Sequence, residues 1–176
     1  MAEKHRSSDS LAYVEARSNG EADAWSQEVG ARGGQILAEV AEVEPPAEVA
    51  SQLGLPAGEK AVVRRRIILL DEAPVELADS YYPLTLARGT GLAEKRKIKG
   101  GAPTLLAQLG HSPRHVSEDL TFRAADSAER EELGLPSGAS VLTLLRATRS
   151  AEGVCYEVQL MTMKAPRSLH YEIEVD

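Results

Sequence analysis

The chain has 176 residues and a formal net charge of −7, so it is long enough for one domain with a packed core and too short for two full domains. The acidic balance argues against direct wrapping of nucleic acid, and the single cysteine, Cys155, excludes a disulfide framework and a multi-cysteine metal site. No apolar run approaches the ~18 residues of a membrane helix, and the polar start lacks the apolar segment of a signal peptide. These features predict a soluble, cytoplasmic protein without membrane contact.

Residues 1–34 are polar, are broken by several glycines and contain the only tryptophan, Trp25. They are predicted to form an arm or connector, partly helical, that precedes a main domain at 35–176. Trp25 and Tyr13 are expected to dock this arm onto the body or onto a partner subunit rather than to stack on a ligand. The alternating run that follows predicts a first strand, which a pair of prolines ends.

An internal repeat organises the rest of the chain. The sequence "LGLPAG" at 53–58 returns as "LGLPSG" at 133–138, 80 residues later. In each copy a short helix ("AEVASQL" or "SAEREEL") with a C-terminal glycine precedes two strands joined by a short turn. Two such units, each a helix plus a β-hairpin, favour an antiparallel sheet with helices on one side. The predicted fold class is α+β, with about six strands and three helices.

The segment between the two hairpins begins with a loop that contains the basic cluster "KRKIKGG" at 95–101. This cluster is either a solvated loop or a rim whose glycines let backbone amides approach an anion. A short helix is predicted from Pro103 to Gly110, followed by an alternating strand. The last stretch, 168–176, also alternates and predicts a closing strand.

Three consecutive arginines, Arg64, Arg65 and Arg66, lie within an otherwise apolar strand. Burial of a guanidinium without a partner costs several kcal/mol, so the strand is expected to face acidic groups or to hold an anion. Because side chains alternate along a strand, Arg64 and Arg66 share one face. An even hairpin register would place on the same face three polar residues of the next strand, Glu76, Ser80 and Tyr82.

The repeat overlays Arg66 on Arg146 and Glu76 on Glu157. One interpretation is two cross-strand ion pairs, Arg66 with Glu76 and Arg146 with Glu157, each worth ~0.2–1 kcal/mol. The other is a polar pocket in which arginine binds a carboxylate or phosphate. Arg65 is expected to form solvated ion pairs on the opposite face.

The four histidines lack metal-ligand spacing, and no serine or cysteine lies in a nucleophile motif. The sequence therefore predicts no catalytic residue, no metal and no cofactor. Cys155 is expected to be a small core residue.

The stretch "VVRRRIILLDEAPVELADSYYP" closely resembles the effector-binding (UTRA) domain of GntR-type transcriptional regulators of the HutC subfamily. The resemblance covers about residues 35–176 and includes both "LGLP.G" motifs, the "LL..LG" helix and "SEDLTFRAA". The segment "SDSLAYVEARSNGEADAWS" is similar to the connector that follows the winged helix-turn-helix in actinobacterial members. The resemblance implies a regulator whose DNA-binding domain is missing from this chain.

It also implies a chorismate-lyase-like fold, an antiparallel sheet flanked by helices with internal pseudo-symmetry. Members form homodimers and bind small effectors, often sugar phosphates or other metabolites, in a pocket over the sheet. Occupancy reorients the attached domains that contact operator DNA.

The family pattern places its first pocket arginine at Arg66 and a second-half glutamate at Glu157, and Arg123 and Arg146 match recurrent positions. The predicted effector-binding residues are Arg64, Arg66, Glu76, Ser80, Tyr82, Lys99, Arg123, Arg146 and Glu157.

The sequence departs from the family at Ile68, where a second arginine is expected, at Ala78, where a glutamate is expected, and around Gly100–Ala102, where phosphate contacts are expected. Glu76 is expected to substitute for the missing acid, and Lys97 or Lys99 for the lost positive charge.

The function predicted from these features is an effector-sensing and dimerisation domain without catalytic activity. Two alternatives remain open: a chorismate-lyase-like enzyme acting on a carboxylated substrate, and a dimerisation module without a ligand.

Overall fold

A computed structural model of the chain describes residues 7–17 and 21–170, in which the largest element is a six-stranded antiparallel sheet. The strands are β1 (Ser7–Asp9), β2 (Gly33–Val43), β3 (Ala61–Leu70), β4 (Ala73–Pro83), β5 (His115–Ala124), β6 (Ser140–Arg149), β7 (Cys155–Lys164) and β8 (Ser168–His170). The helices are α1 (Ala24–Val29), α2 (Ala47–Leu53), α3 (Leu84–Ala87), α4 (Gly101–Gln108) and α5 (Ser127–Leu133). The large sheet has the order β2-β3-β4-β7-β6-β5, and β1 pairs in parallel with β8 separately.

The sheet order reflects the internal repeat. One half consists of β2, α2, β3 and β4, and the other of β5, α5, β6 and β7. The halves meet where β4 pairs with β7, and an approximate two-fold axis passes near the opposed residues Asp79 and Leu160. The predicted repeat is therefore confirmed, and each unit gains a strand before its helix.

Residues at the ends of α2 and α5 determine where these helices begin and end. At the start of α5, the Asp126 carboxylate accepts the Glu129 N–H at 2.8 Å, and the Glu129 carboxylate accepts the Asp126 N–H at 2.9 Å. Both helices end at a left-handed glycine, with φ of 68° at Gly54 and 62° at Gly134. The helix expected from Pro103 instead begins two residues earlier, as α4.

The two repeat helices, α2 and α5, lie on one side of the sheet as predicted, but α1 and α4 cover the other face, which the repeat did not predict. Helix α2 packs on the face that carries Val63 and Tyr81, whereas Trp25 of α1 packs on the face of Ile68 and Ala78. The physical reason is that β3 and β4 carry apolar residues on both faces, and each face must be removed from water.

The β3–β4 hairpin has the even register. Arg64 lies opposite Ser80, Arg66 opposite Ala78, and Ile68 opposite Glu76. The predicted common face of these residues is therefore confirmed. Arg65 lies opposite Asp79 and points to the other face.

The arm packs against the sheet rather than extending from it. Trp25 is buried, and its Nε1 donates to the Leu69 carbonyl at 3.1 Å. Its predicted docking onto the body is confirmed. Cys155 is a buried core residue, also as predicted.

The predicted closing strand is described only to His170, where β8 pairs with β1 and not with the large sheet. Residues 171–176 lie outside the described residues. Within the described part of the chain, the helices are too short to cross a membrane.

Candidate functional site

A cavity of about 150 Å³ lies over the face of the sheet that carries Arg64 and Arg66. Its floor comes from β2, β3, β4, β6 and β7, one wall from the arm, and another from residues 97–103 at the start of α4. Its charged and polar lining includes Arg17, Asp23, Arg64, Arg66, Glu76, Ser80, Tyr82, Lys97, Arg146 and Gln159.

Arg66 has fewer hydrogen-bond partners than Arg64 and Arg146, the other two arginines that the sheet contributes to this cavity. Its Nη2 donates to the Ser80 hydroxyl at 2.9 Å, while its Nε is buried and has no hydrogen-bond partner among the described residues. No described carboxylate forms an ion pair with it. Arg66 therefore brings a positive charge to the cavity without a carboxylate in direct contact.

Arg64 also lines the cavity, but the protein already uses its donors. Its Nη1 lies 3.1, 2.9 and 2.8 Å from the carbonyl oxygens of Gly91, Leu92 and Glu94, and its Nη2 lies 2.8 Å from that of Arg96. Burial lowers the pKa of Arg64. Arg64 therefore anchors the loop that precedes α4.

Arg65 lies on the opposite face, between the carboxylates of Glu39 and Asp79. Its side chain is 44% exposed. The predicted solvated ion pairs of Arg65 are confirmed.

Beneath Arg66, a buried polar network links the two halves of the sheet. The Tyr82 hydroxyl donates to the Glu157 carboxylate at 2.6 Å, and Gln159 Nε2 lies 3.4 Å from Ser80 Oγ. Burial raises the pKa of Glu157, an effect that the Tyr82 hydrogen bond opposes. Tyr82, Ser80 and Gln159 line the cavity, whereas Glu157 lies behind Tyr82.

Glu76 lines the cavity near Arg167, whose Nη2 lies 3.9 Å from the carboxylate. Burial raises the pKa of Glu76, against the charge of Arg167. Arg167 also faces Glu28 of α1 at 3.7 Å. Glu76 is thus held between the cavity and the base of the arm.

The ion pairs expected from the repeat, Arg66 with Glu76 and Arg146 with Glu157, do not form. The register explains this, because Arg66 faces Ala78 across the hairpin and Arg146 faces Gln159. Arg66 instead donates to Ser80 of β4, and Arg146 donates to Glu118 of the edge strand β5 and to Gln159 of β7.

Arg146 is neutralised by the edge strand. Its Nε donates to Glu118 of β5 at 2.5 Å, and its Nη1 donates to Gln159 Oε1 at 3.1 Å. The side chains of Arg146 and Glu118 are only 3% and 8% exposed. At the equivalent position beside Arg66, the edge strand β2 carries Leu37, and this difference leaves Arg66 without a carboxylate.

Three predicted site residues, Glu157, Arg123 and Lys99, do not line the cavity. Arg123 points to the other face of the sheet, where it donates to the Glu129 carboxylate at 2.6 and 2.7 Å. Lys99 is exposed and does not line the cavity, whereas Lys97 lines it and lies 3.5 Å from Asp23.

Sequence reasoning missed several residues of the cavity. Tyr13, Trp25 and Arg17 of the arm line it, although Trp25 was expected to dock only. No sequence pattern signals that contact, because the arm returns over strands far away in the chain. Gln159 could have been found, since the repeat with an offset of 81 residues overlays it on Ala78, a position where the family pattern places a polar side chain.

The family pattern of the UTRA domain matches residues 29–168. A curated relative, an uncharacterised helix-turn-helix-type transcriptional regulator of Streptomyces coelicolor, is 30% identical over 121 residues, which cover 67% of this chain and 45% of the relative. This chain thus spans about half of the length of that relative.

Three solved structures share the fold. A protein of Streptomyces coelicolor described as a transcriptional regulator is 27% identical, with a TM-score of 0.66 and coverage of 77% of this chain and 89% of that one. The effector domain of PhnF from Mycobacterium smegmatis is 16% identical, with a TM-score of 0.72 and coverage of 92% and 99%. A ligand-binding domain described as GntR-family, from Bordetella bronchiseptica, is 23% identical, with a TM-score of 0.66 and coverage of 93% and 98%.

The six-stranded antiparallel sheet, its helices and its repeat agree with these structures, so the predicted chorismate-lyase-like α+β fold is confirmed. The matched region extends over both halves of the sheet and all of the cavity floor. The chain belongs to the UTRA domain family.

Proposed function

We propose that this domain binds a small anionic metabolite in the cavity over the sheet, and that occupancy controls DNA binding by a GntR-type regulator. The observation that carries the proposal is the guanidinium of Arg66, which lines the cavity and forms no ion pair with a carboxylate among the described residues. A carboxylate or phosphate group in the cavity would supply the missing ion pair.

The remaining lining restricts the ligand further. Ser80 and Gln159 offer polar atoms beside Arg66, and Glu76 offers an acceptor farther along the same face. The ligand is therefore an acid that also carries hydroxyl or amine donors. Arg64, Arg146 and Glu157 support this surface from within the protein, because each already has partners.

The arm supplies the route from occupancy to regulation. The Arg17 N–H donates to Thr104 Oγ1 of α4 at 3.0 Å, and Asp23 lies 3.5 Å from Lys97, so the arm closes over the cavity. A ligand that contacts both the sheet and the arm favours one arrangement of the arm. In this proposal the regulator is a cytoplasmic homodimer of the HutC subfamily, and a winged-helix domain contacts operator DNA.

A thermal-shift screen tests the proposal. The domain is heated with sugar phosphates, other phosphorylated metabolites and carboxylated metabolites, each at a high concentration. A ligand at 100 times its dissociation constant adds about 2.7 kcal/mol to the free energy of unfolding. For a domain of this size that raises the melting temperature by roughly 5–11 °C.

Three variants make the screen specific to the site. Arg66→Met and Leu37→Glu are expected to abolish the shift, the second by giving Arg66 an internal carboxylate like the one that Glu118 gives Arg146. Arg65→Met, on the opposite face, is the matched control and is expected to keep the shift. A shift that survives both Arg66→Met and Leu37→Glu would place the ligand elsewhere and contradict the proposal.

Binding without turnover distinguishes this function from that of a chorismate-lyase-like enzyme. Incubation with chorismate, followed by absorbance detection of 4-hydroxybenzoate, is expected to give no product above the uncatalysed level. Product that forms with wild-type protein and not with Arg66→Met would favour the enzyme. A dimerisation module without a ligand would give no shift that depends on Arg66.

A further inference from the structure

The face of the sheet opposite the cavity carries a groove of about 820 Å³, lined in part by residues of α2 and α5. Its floor includes a row of side chains that the strand register aligns across all six strands: Glu39, Arg65, Asp79, Leu160, Leu145 and Asp119. At a strand spacing of ~4.8 Å, this row is ~24 Å long. Its two ends, Glu39 and Asp119, are equivalent positions of the internal repeat.

The centre of the groove floor is largely apolar. Leu145 and Leu160 belong to the row itself, and Ile67 and Leu77 line the groove two residues away from it along β3 and β4. All four side chains are half-buried. Partly exposed aliphatic side chains grouped on one sheet face form a surface on which a further element can pack.

Carboxylates outnumber guanidinium groups around this floor. The groove is lined by six acidic residues, Glu39, Glu48, Asp79, Asp119, Glu129 and Glu132, and by three arginines, Arg65, Arg66 and Arg123. Arg66 directs its guanidinium to Ser80 on the opposite face, and the other two arginines pair with acidic residues of the groove. Within the described part of the chain, Asp119 and Glu132 are exposed and form no ion pair. Their charges are available to a partner.

We propose that this groove is a docking site for a cationic amphipathic helix of a partner protein. The excess of carboxylates repels nucleic acids and anionic membranes, and it attracts a segment rich in lysine or arginine. The four central strands of the sheet pair on both sides, so they offer no backbone hydrogen bonds to a segment that lies over their face. A helix satisfies its own backbone groups and needs none from the sheet.

The groove also specifies the length and pattern of the helix. At 1.5 Å per residue, about 16 residues span the ~24 Å row. Apolar side chains at positions i, i+3, i+4 and i+7 form the stripe that packs on the central leucines. Cations beside this stripe meet Glu132 on α5, and cations near one end meet Asp119. Because the groove and the cavity lie on opposite faces, the inference does not rest on the proposed function, and either can fail without the other.

Fluorescence anisotropy with two labelled peptides tests the proposed partner. Both contain about 16 residues of leucine and lysine in the same proportions, but only the first has its leucines on one helical face. At ~0.15 M salt, where charges are screened beyond ~8 Å, the first peptide is expected to bind saturably and the second roughly tenfold more weakly or worse. Equal binding of the two peptides, or no saturable binding of the first up to about 1 mM, would overturn the inference.

Two charge reversals on α5 test the location. Glu131 and Glu132 are neighbouring exposed residues, but only Glu132 lines the groove. Glu132→Lys is expected to raise the dissociation constant of the first peptide by roughly fivefold or more, whereas Glu131→Lys, with the same net charge, stays within about twofold of wild type. An equal effect of the two variants would show attraction to net charge alone and contradict the proposed site.

A third variant tests the apolar floor. Leu160→Gln, at the centre of the row, is expected to raise the dissociation constant of the first peptide by roughly tenfold, because the leucine stripe then meets a polar side chain. Fluorescence of Trp25, which is buried on the opposite face, checks that each variant is folded. A folded Leu160→Gln variant that binds the peptide as tightly as wild type would refute docking on this floor.

Discussion

Replacement of Arg64 by methionine is expected to destabilise the domain without removing the ligand's charged contact. The substitution keeps an unbranched apolar stem and removes a guanidinium that is 5% exposed. That guanidinium lies within 3.1 Å of four backbone carbonyl oxygens between Gly91 and Arg96. The loop that they belong to leads directly into α4.

The expected cost is about 2–4 kcal/mol. A hydrogen bond to a charged group contributes about 1.5–3 kcal/mol. Three of the four carbonyls share Nη1, which has only two hydrogens, so the contributions do not add fully. The exposed residues Glu94 and Arg96 can also return their carbonyls to water, and methionine does not carry the desolvation cost that lowers the pKa of Arg64.

Urea denaturation followed by circular dichroism measures this cost, and Arg65→Met serves as the matched control. Arg65 forms exposed ion pairs, so its loss is expected to cost at most ~1 kcal/mol. For Arg64→Met the melting temperature should fall by roughly 4–16 °C. An Arg64→Met variant as stable as Arg65→Met that no longer responded to the ligand would refute the anchoring role and make Arg64 a ligand contact.

Two further predictions concern the hydrogen bonds that the carboxylates of Glu157 and Glu129 accept. Tyr82→Phe leaves the buried Glu157 without its 2.6 Å donor and is expected to lower the free energy of unfolding, measured in urea, by about 1–3 kcal/mol. The hydrogen bond from Arg123 lowers the pKa of Glu129 from 4.5 to about 2, so its stabilisation is present above pH 4.5 and is lost as the pH falls towards 2. Because the Arg123 side chain is 41% exposed, this loss is expected to be only about 1–2 kcal/mol. Urea midpoints between pH 5 and pH 2.5 should fall less steeply in Arg123→Met, and equal slopes would contradict the assignment.

Local chemistry made much of the fold predictable. Asp126 and the glycines that follow α2 and α5 act within a few residues, so both helices could be placed to the residue. Alternation likewise identified the strands and the shared face of Arg64 and Arg66. The arrangement of helices on the two faces could not be predicted, because it depends on which elements meet across the sheet.

The site was predictable in part for the same reason. Sequence alone grouped Arg66, Ser80 and Tyr82, which belong to one hairpin and meet through its register. The role of Arg64 was not accessible, because its acceptors lie 27 to 32 residues away in a loop without a recognisable motif. Arg123 matched a family position, yet the parity of β5 directs it to the other face.

The cavity owes its unpaired charge to divergence between the two halves of the repeat. In the second half, Arg146 has an acceptor on each side, because β5 provides Glu118 and β7 provides Gln159. The equivalent positions beside Arg66 are Leu37 and Ala78, and neither side chain can accept a hydrogen bond. The same fold therefore holds one arginine that its own strands satisfy and one that they do not. Since a half-buried guanidinium without a contacting carboxylate is costly, the proposed function predicts that the anion binds where the Glu118 carboxylate lies in the other half.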